Sequence, residues 1–153
     1  MRLLTFALIV FGSVFLFQCN SGKQDTEESI YEGMDFRTRI RMRQYMVQGQ
    51  QQYQIHCANC HGDDGKGLGQ LIPPLAKADY FLEDIPRAIC ISRNGMKGSM
   101  LVNGVEYNQQ MPEHKDLTAL EIAEIITYAS NSWGNVSGLT DVKQVESVLA
   151  KCK

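Results

Sequence analysis

The sequence lacks an excess of charge of either sign and lacks a long uninterrupted apolar run. Its 153 residues carry 15 Lys and Arg against 17 Asp and Glu, a formal net charge of −2. A protein that binds nucleic-acid phosphates needs a basic surface, so we expect no nucleic-acid partner. A transmembrane helix needs about 20 apolar residues in succession, so a multispan membrane protein is excluded. Hydrophobic residues make up 44% and charged residues 21%, which is ordinary for one globular domain.

The first apolar segment has the length of an export signal rather than that of a membrane span. Residues 3–17 are almost entirely apolar, and Cys19 follows them where the composition turns polar. This junction resembles a bacterial lipoprotein signal, which predicts a signal peptide over residues 1–18 and lipid attached to Cys19 as the mature N-terminus. The predicted location is therefore the periplasmic side of a membrane. Gln18 departs from the small residue of that signal, which leaves an uncleaved signal anchor or ordinary cleavage as alternatives.

The next segment, residues 19–43, is polar and is expected to form a flexible, lipid-anchored tether. It ends in four arginines at alternate positions from Arg37 to Arg43. We interpret these arginines as a solvated segment before the first helix, with contact to anionic lipid headgroups or to an acidic partner as the alternatives. The folded domain is expected over residues 44–153, with its first helix over residues 44–54.

The sequence Cys57-Ala58-Asn59-Cys60-His61 has the spacing of a covalent haem attachment site. Two thiols one helical turn apart can add to the two vinyl groups on one porphyrin edge, and the histidine is then the proximal iron ligand. A zinc site would need a second pair of ligands at similar spacing. A thioredoxin-type pair would lie near a βαβ pattern. The sequence has neither, so we predict one covalently bound haem c.

With this motif, the chain resembles the class I cytochromes c of the single-haem bacterial kind over roughly residues 49–133. In that family a glycine and an aromatic residue precede the first haem cysteine by eight and four positions, as Gly49 and Tyr53 do here. In that family these two residues pack closely against an aromatic and an aliphatic residue of a later helix, the family's C-terminal one. Tyr128 and Ile125 match those two residues here. The resemblance implies an all-α fold of about four to five helices around the haem. The residues around Asn103-Gly104 predict a small β-hairpin near 100–107.

The resemblance also implies which residues surround the haem. A proline carbonyl would bond to the other ring nitrogen of His61 and fix the ring orientation. Pro73 is the predicted residue and Pro74 the alternative, while Leu75 would pack on the haem face. The candidate hydrogen-bond donors to the haem propionates are Arg93, Tyr107 and Trp133, with ordinary packing or contact with solvent as the alternative.

The second axial ligand implied by the resemblance is a methionine, usually in a Met-Pro pair. Met111-Pro112 is the only such pair in the sequence. Met96 and Met100 are the alternatives, and core packing is the ordinary role of any methionine. His56 and His114 are interpreted as surface residues.

Two cysteines, Cys90 and Cys152, remain after the lipid and the haem have taken three. A short helix is predicted over residues 87–93, with Cys90 among apolar neighbours, and a last helix is predicted from Thr140, with Cys152 on its apolar side. Thiols that meet in an oxidising compartment form a disulfide. We predict a bridge between them. The alternative is an inert core thiol at Cys90 and a frayed end at Cys152.

Ligation of the iron by both His61 and Met111 would leave no vacant position for a substrate. The function implied by the resemblance is therefore one-electron transfer, in a membrane-tethered carrier of a respiratory chain. Such a protein is not an enzyme by itself, and we expect a monomer that meets redox partners such as a reductase, an oxidase or a dehydrogenase. The alternatives are a dedicated subunit of an oxidoreductase complex and a gas sensor in which Met111 is displaced.

Overall fold

The structure is a computed structural model that describes residues 30–152. In this range the chain forms six helices and one two-stranded antiparallel sheet, which confirms a mostly helical cytochrome c fold with a small hairpin. The signal peptide and Cys19 lie outside the described residues. Within them, no helix is both long enough and apolar enough for a membrane crossing. The elements are α1 Phe36–His56, α2 Ala58–His61, α3 Asp79–Leu82, α4 Ile85–Asn94, β1 Met100–Val102, β2 Val105–Tyr107, α5 Ala119–Ala129 and α6 Val142–Leu149.

Helix α1 begins at Phe36, so the interpretation of the arginine segment as preceding the first helix is wrong. The Asp35 carboxylate accepts hydrogen bonds from the backbone N–H groups of Arg37 at 2.9 Å and Thr38 at 3.2 Å. This is an N-cap, which satisfies donors that the first turn leaves unpaired. Arginine is a good helix former, so the four arginines continue the helix rather than precede it.

The residues just before α1 are also folded onto the domain. Ile30 and Tyr31 are buried against Met42 of α1, and Leu139 packs on the same cluster. Part of the segment predicted as a tether therefore belongs to the folded domain, whose boundary lies before residue 44. Residues 19–29 of that segment lie outside the described range.

Local sequence signals explain most of the other element boundaries. Asn103 and Gly104 both have positive φ, at 51° and 78°, as a two-residue type I′ turn requires. The turn pairs Met100 with Tyr107 in the hairpin register. Thr118 and Glu121 form a reciprocal capping box that begins α5.

Helices α1 and α5 cross at Gly49, as the resemblance implied. A Cβ atom on Gly49 would lie 2.0 Å from the Glu124 carbonyl oxygen and 2.8 Å from Cβ of Tyr128. One turn later, the rings of Tyr53 and Tyr128 are 5.5 Å apart between centroids. Only a residue without a side chain allows the two backbones to approach this closely.

Replacing this glycine tests the crossing. We expect Gly49→Ala to lower the free energy of unfolding of the haem-loaded protein by about 3 kcal/mol, because the new methyl overlaps backbone atoms of α5. Alanine has the higher helix propensity, which by itself would stabilise α1 by about 1 kcal/mol. Denaturant unfolding followed by circular dichroism measures the difference. The control is Gln51→Ala on the exposed side of α1, and equal midpoints for the two variants would contradict the crossing.

The C-terminal helix α6 is fastened to the rest of the domain by packing and by a covalent bond. Val145 is fully buried in the main core. Cys90 of α4 and Cys152, just beyond α6, form a disulfide with 5.6 Å between their Cα atoms. The structure therefore contains the bridge that was predicted from the sequence.

Candidate functional site

A cavity of about 440 Å³ lies in the middle of the domain. Its walls come from α2, from the loop of residues 71–75, from α4 and α5, and from the segments around three methionines. None of the described residues that line it is Asp, Glu, Lys or Arg. Its volume lies in the range of about 300–1,000 Å³ that is usual for cofactor sites, and its apolar walls are typical of them.

The short helix α2 places both motif cysteines at this cavity. Cys57 is its N-cap residue, and the Cys57 carbonyl accepts bonds from the N–H groups of Cys60 at 3.1 Å and His61 at 2.9 Å. Cys57 is half-buried and Cys60 is exposed, and neither belongs to a disulfide. Burial raises the pKa of the Cys57 thiol to about 12. Two thiols one turn apart thus border the same apolar space as His61.

The buried ring of His61 is oriented by a backbone carbonyl. Its Nδ1 atom lies 3.1 Å from the Pro73 oxygen. A carbonyl oxygen only accepts, so Nδ1 carries the proton and Nε2 keeps a free lone pair. Burial lowers the pKa of His61, while the bond to Pro73 acts in the opposite direction. The ring is therefore neutral near pH 7, which is the form that ligates iron.

Gly67 allows the Pro73 carbonyl to reach His61. A Cβ atom on Gly67 would lie 2.2 Å from the Ile72 oxygen and 2.7 Å from the Pro73 oxygen, and its φ is +71°. The Gly67 N–H also donates to the His61 carbonyl at 2.8 Å. Gly67 thus helps to position the histidine by letting two backbone segments approach each other.

All three candidate methionines line the cavity, so lining alone does not distinguish Met111 from Met96 and Met100. The Met96 sulfur already accepts a contact of 3.8 Å from the Tyr80 hydroxyl. Met100 belongs to β1, where its direction is set by pairing with Tyr107. Met111 lies outside the helices and strands, in the loop of residues 108–118 that joins β2 to α5.

Backbone contacts hold the Met111 segment against the end of α4. Met96 and Met111 exchange two backbone hydrogen bonds of 3.0 Å each. The His114 N–H donates to the Arg93 carbonyl, also at 3.0 Å. A Cβ atom on Gly95 would lie 2.5 Å from the Met111 oxygen. Gly95 thus ends α4 and also makes room for the Met111 backbone, and no local sequence pattern indicates this second role.

This donor set fits a covalently attached haem. Two thiols, a neutral histidine with a free Nε2 and a thioether meet at one apolar cavity, and they match the thioether links and axial ligands of a c-type haem. Leu75 lines the same space, as was predicted. His61 and Met111 would hold the iron, and Cys57 and Cys60 would hold the porphyrin.

The three polar residues considered for the propionates do not line the cavity. Each donates to a backbone carbonyl: Arg93 Nη1 to Lys115 at 2.6 Å, Tyr107 to Gly69 at 3.5 Å, and Trp133 Nε1 to Asp63 at 3.1 Å. Trp133 also packs 5.2 Å from the Tyr53 ring, between centroids. These contacts are of the ordinary structural kind, and propionate binding by these residues stays a prediction.

The interpretation of His56 and His114 as surface residues needs correction. Both are half-buried, and their rings meet edge to face with 6.0 Å between centroids. His56 is the last residue of α1, and the bond from His114 to Arg93 folds the Met111 loop back beside it. The residues are distant in sequence, and no local pattern announces this contact.

Tyr80 lines the cavity, and no pattern in the sequence pointed to it. Its hydroxyl contacts the Met96 sulfur, and the Arg87 guanidinium stacks 3.9 Å from its ring centroid. Arg87 is also paired with Asp84 at 3.5 Å. Tyr80 belongs to the single-turn helix α3, which is too short to show a periodic signal in the sequence.

Comparisons with known proteins agree with this site. The sequence model of the family described as cytochrome c matches residues 46–133. Cytochrome c-552 of Thermus thermophilus is 30% identical over 91 residues, which cover 57% of this chain and 70% of that protein. A second cytochrome c-552 of the same species matches at the same identity over 62% of its length. The cytochrome c subunit of a quinone alcohol dehydrogenase from Gluconacetobacter polyoxogenes is 32% identical over 92 residues, but these are only 19% of that protein.

Proposed function

Because this chain belongs to the cytochrome c family, we propose that it is a one-electron carrier of a respiratory chain, held by its N-terminus at the periplasmic side of a membrane. The family implies one covalently bound haem c and a role in electron transfer rather than catalysis by the chain itself. The membrane tether and the respiratory role go beyond what membership of the family implies, and they are our proposal. The apolar run of residues 3–17 and the junction at Cys19 support the tether.

The observation that carries the proposal is the meeting of His61, both motif cysteines and Met111 at one uncharged cavity. When bound, the haem supplies a one-electron iron couple. The chain does the rest: Pro73 orients the His61 ring, and the apolar walls exclude water. With His61 and Met111 as axial ligands, the iron has no open position for a substrate, so electron transfer remains.

A dedicated subunit of an oxidoreductase is the second candidate. The quinone alcohol dehydrogenases contain cytochrome c subunits that are 29–32% identical to this chain over about 90 residues. This chain matches less than a fifth of their length, so the likeness concerns one haem domain. Free shuttles form small and brief interfaces, whereas subunits form stable ones.

Purification from native membranes tests the proposal. We expect a haem that stays attached after acidic acetone extraction, a spectrum of six-coordinate low-spin iron in both oxidation states, and rapid reversible oxidation by redox proteins. A free shuttle purifies alone, and a subunit purifies in a fixed ratio with an oxidoreductase. Haem that is extracted by acidic acetone would contradict covalent attachment at Cys57 and Cys60.

The anchor is tested by the mass of the mature protein. We expect a chain that begins at Cys19 and carries diacylglycerol, because the apolar run ends just before this residue. Cys19→Ser should release the protein from the membrane or leave it unprocessed, while haem attachment is unchanged. An unmodified Cys19, or a mature chain that still begins at Met1, would overturn lipidation.

A further inference from the structure

Helix α1 has an apolar stripe on the side that faces away from the core. Its buried side consists of Met42, Tyr45, Gly49 and Tyr53. Residues four and seven positions apart share one side of a helix, and this spacing places Phe36, Ile40 and Val47 together on the opposite side. Their exposed fractions are 78%, 40% and 56%. We call these three residues the outer stripe.

Positive charge flanks the outer stripe. The chain as a whole carries −2, but α1 contains four arginines and no acidic residue. Arg37 and Arg43 are exposed at the two sides of the stripe. Arg41 is paired with Asp141, and the Asp35 carboxylate is occupied by the helix cap. An exposed apolar stripe between arginines is the pattern of a helix that lies in a membrane interface, because arginine stems lie along apolar surface while their heads bind phosphate.

The chain before α1 is short enough to keep this face near the membrane. Eleven positions separate Cys19 from Ile30, the first residue that the structure describes and already part of the folded domain. A fully extended chain of this length reaches about 36–40 Å, and an unstructured one is shorter on average. The predicted tether extends to residue 43, so the packing of residues 30–34 on α1 removes much of its slack.

We propose that the outer stripe and its flanking arginines dock on an anionic lipid surface, so that the domain lies against the membrane that anchors it. This inference rests on the tether of the proposed function. The occupant is a lipid surface because the charge of α1 complements anionic headgroups and because the nearby anchor supplies the membrane. With about 1.5 Å rise per residue, α1 extends about 30 Å from the docked end to Cys57. Docking therefore holds the haem site at this distance from the docked end of α1, measured along the membrane surface.

Spin labels on the mature holoprotein test the docking. With the haem, the disulfide and the lipid in place, no native thiol is free, so an introduced cysteine is the sole site of labelling. Gln44→Cys places the label beside the outer stripe, and Glu106→Cys places it on β2 as the control; both positions are exposed. The protein is reconstituted in vesicles of phosphatidylcholine with or without phosphatidylglycerol. Collision rates with oxygen and with a water-soluble nickel chelate then report the depth of each label.

We expect the label at position 44 to be shielded from nickel in anionic vesicles only, and the label at position 106 to stay accessible. Arg37→Gln should reduce the ratio of docked to undocked protein about fivefold, and Phe36→Ser should also reduce it. The matched controls Lys97→Gln and Leu101→Ser remove an exposed charge and an exposed apolar side chain elsewhere, and they should change nothing. Equal nickel access at both labels, shielding at position 106 instead, or the same shielding in neutral vesicles would overturn the proposal. The intact mass shows whether the lipid anchor is present, and the absorption spectrum shows whether the haem is bound. Loss of the anchor or of the haem is therefore distinguished from loss of docking.

Discussion

Replacement of Met111 by alanine is expected to leave the haem covalently attached while opening one axial position of the iron. The thioether links depend on Cys57 and Cys60, which the substitution does not touch. Without the methionine, the ferric protein should lose its sulfur-to-iron charge-transfer band and gain affinity for cyanide or imidazole. Methionine ligation raises the reduction potential. We therefore expect the reduction potential of the variant to fall by on the order of 0.1 V, within the range of about 0.8 V that axial ligands cover.

The other two methionines of the cavity are the matched controls. Met96→Ala and Met100→Ala remove the same side chain from the same cavity, so they should lower stability through lost packing and leave the ligand spectrum unchanged. Absorption spectra and redox titration of the three variants decide between them. If Met111→Ala keeps the native spectrum and one of the others loses it, the ligand assignment is wrong. A native protein that binds carbon monoxide readily would favour the gas sensor.

Loss of the Cys90–Cys152 disulfide is expected to lower the free energy of unfolding by about 4 kcal/mol in the chain-entropy model. The bond closes a loop of 62 residues, which contains β1, β2, α5 and α6. An open loop gives the unfolded chain more conformations, while the haem thioethers are unaffected by reductants that cleave disulfides. The measurement is the denaturant midpoint with and without a phosphine reductant.

The variant Cys90→Ser, Cys152→Ser provides the control for this experiment, because any response of its midpoint to the reductant comes from the haem iron and not from the disulfide. We expect the reduced native protein and this variant to be similarly destabilised, apart from the change in packing around Cys90. Equal midpoints for the native protein under oxidising and reducing conditions would contradict the stabilising role of the bond.

The parts of this protein that were predicted well depend on neighbours in sequence. The motif from Cys57 to His61 is one turn of helix, and the Asn103-Gly104 turn sets its own strand register. Each signal is complete in the residues that form it. The distant pairs Gly49–Tyr128 and His61–Pro73 were available only through the resemblance to a family.

The start of α1 shows where sequence reasoning failed. A run of alternating arginines has no apolar periodicity, so the pattern favours a solvated segment. The helix begins there because Asp35 caps it and because Ile30 and Tyr31 pack against Met42. The cap was readable from the sequence, but the packing was not, since it depends on Leu139 from a distant part of the chain.

By itself, the sequence determined the cofactor chemistry of this protein, because the two thiols and the histidine that define it lie within five residues. It also limited the second ligand to three methionines. Only the tertiary structure decided how these groups meet: the Gly67 contact that brings the Pro73 carbonyl to His61, and the bonds from Met96 and Arg93 that hold the Met111 loop. The physical reason is that such contacts join segments that are far apart in the chain, and their geometry exists only after the helices have packed.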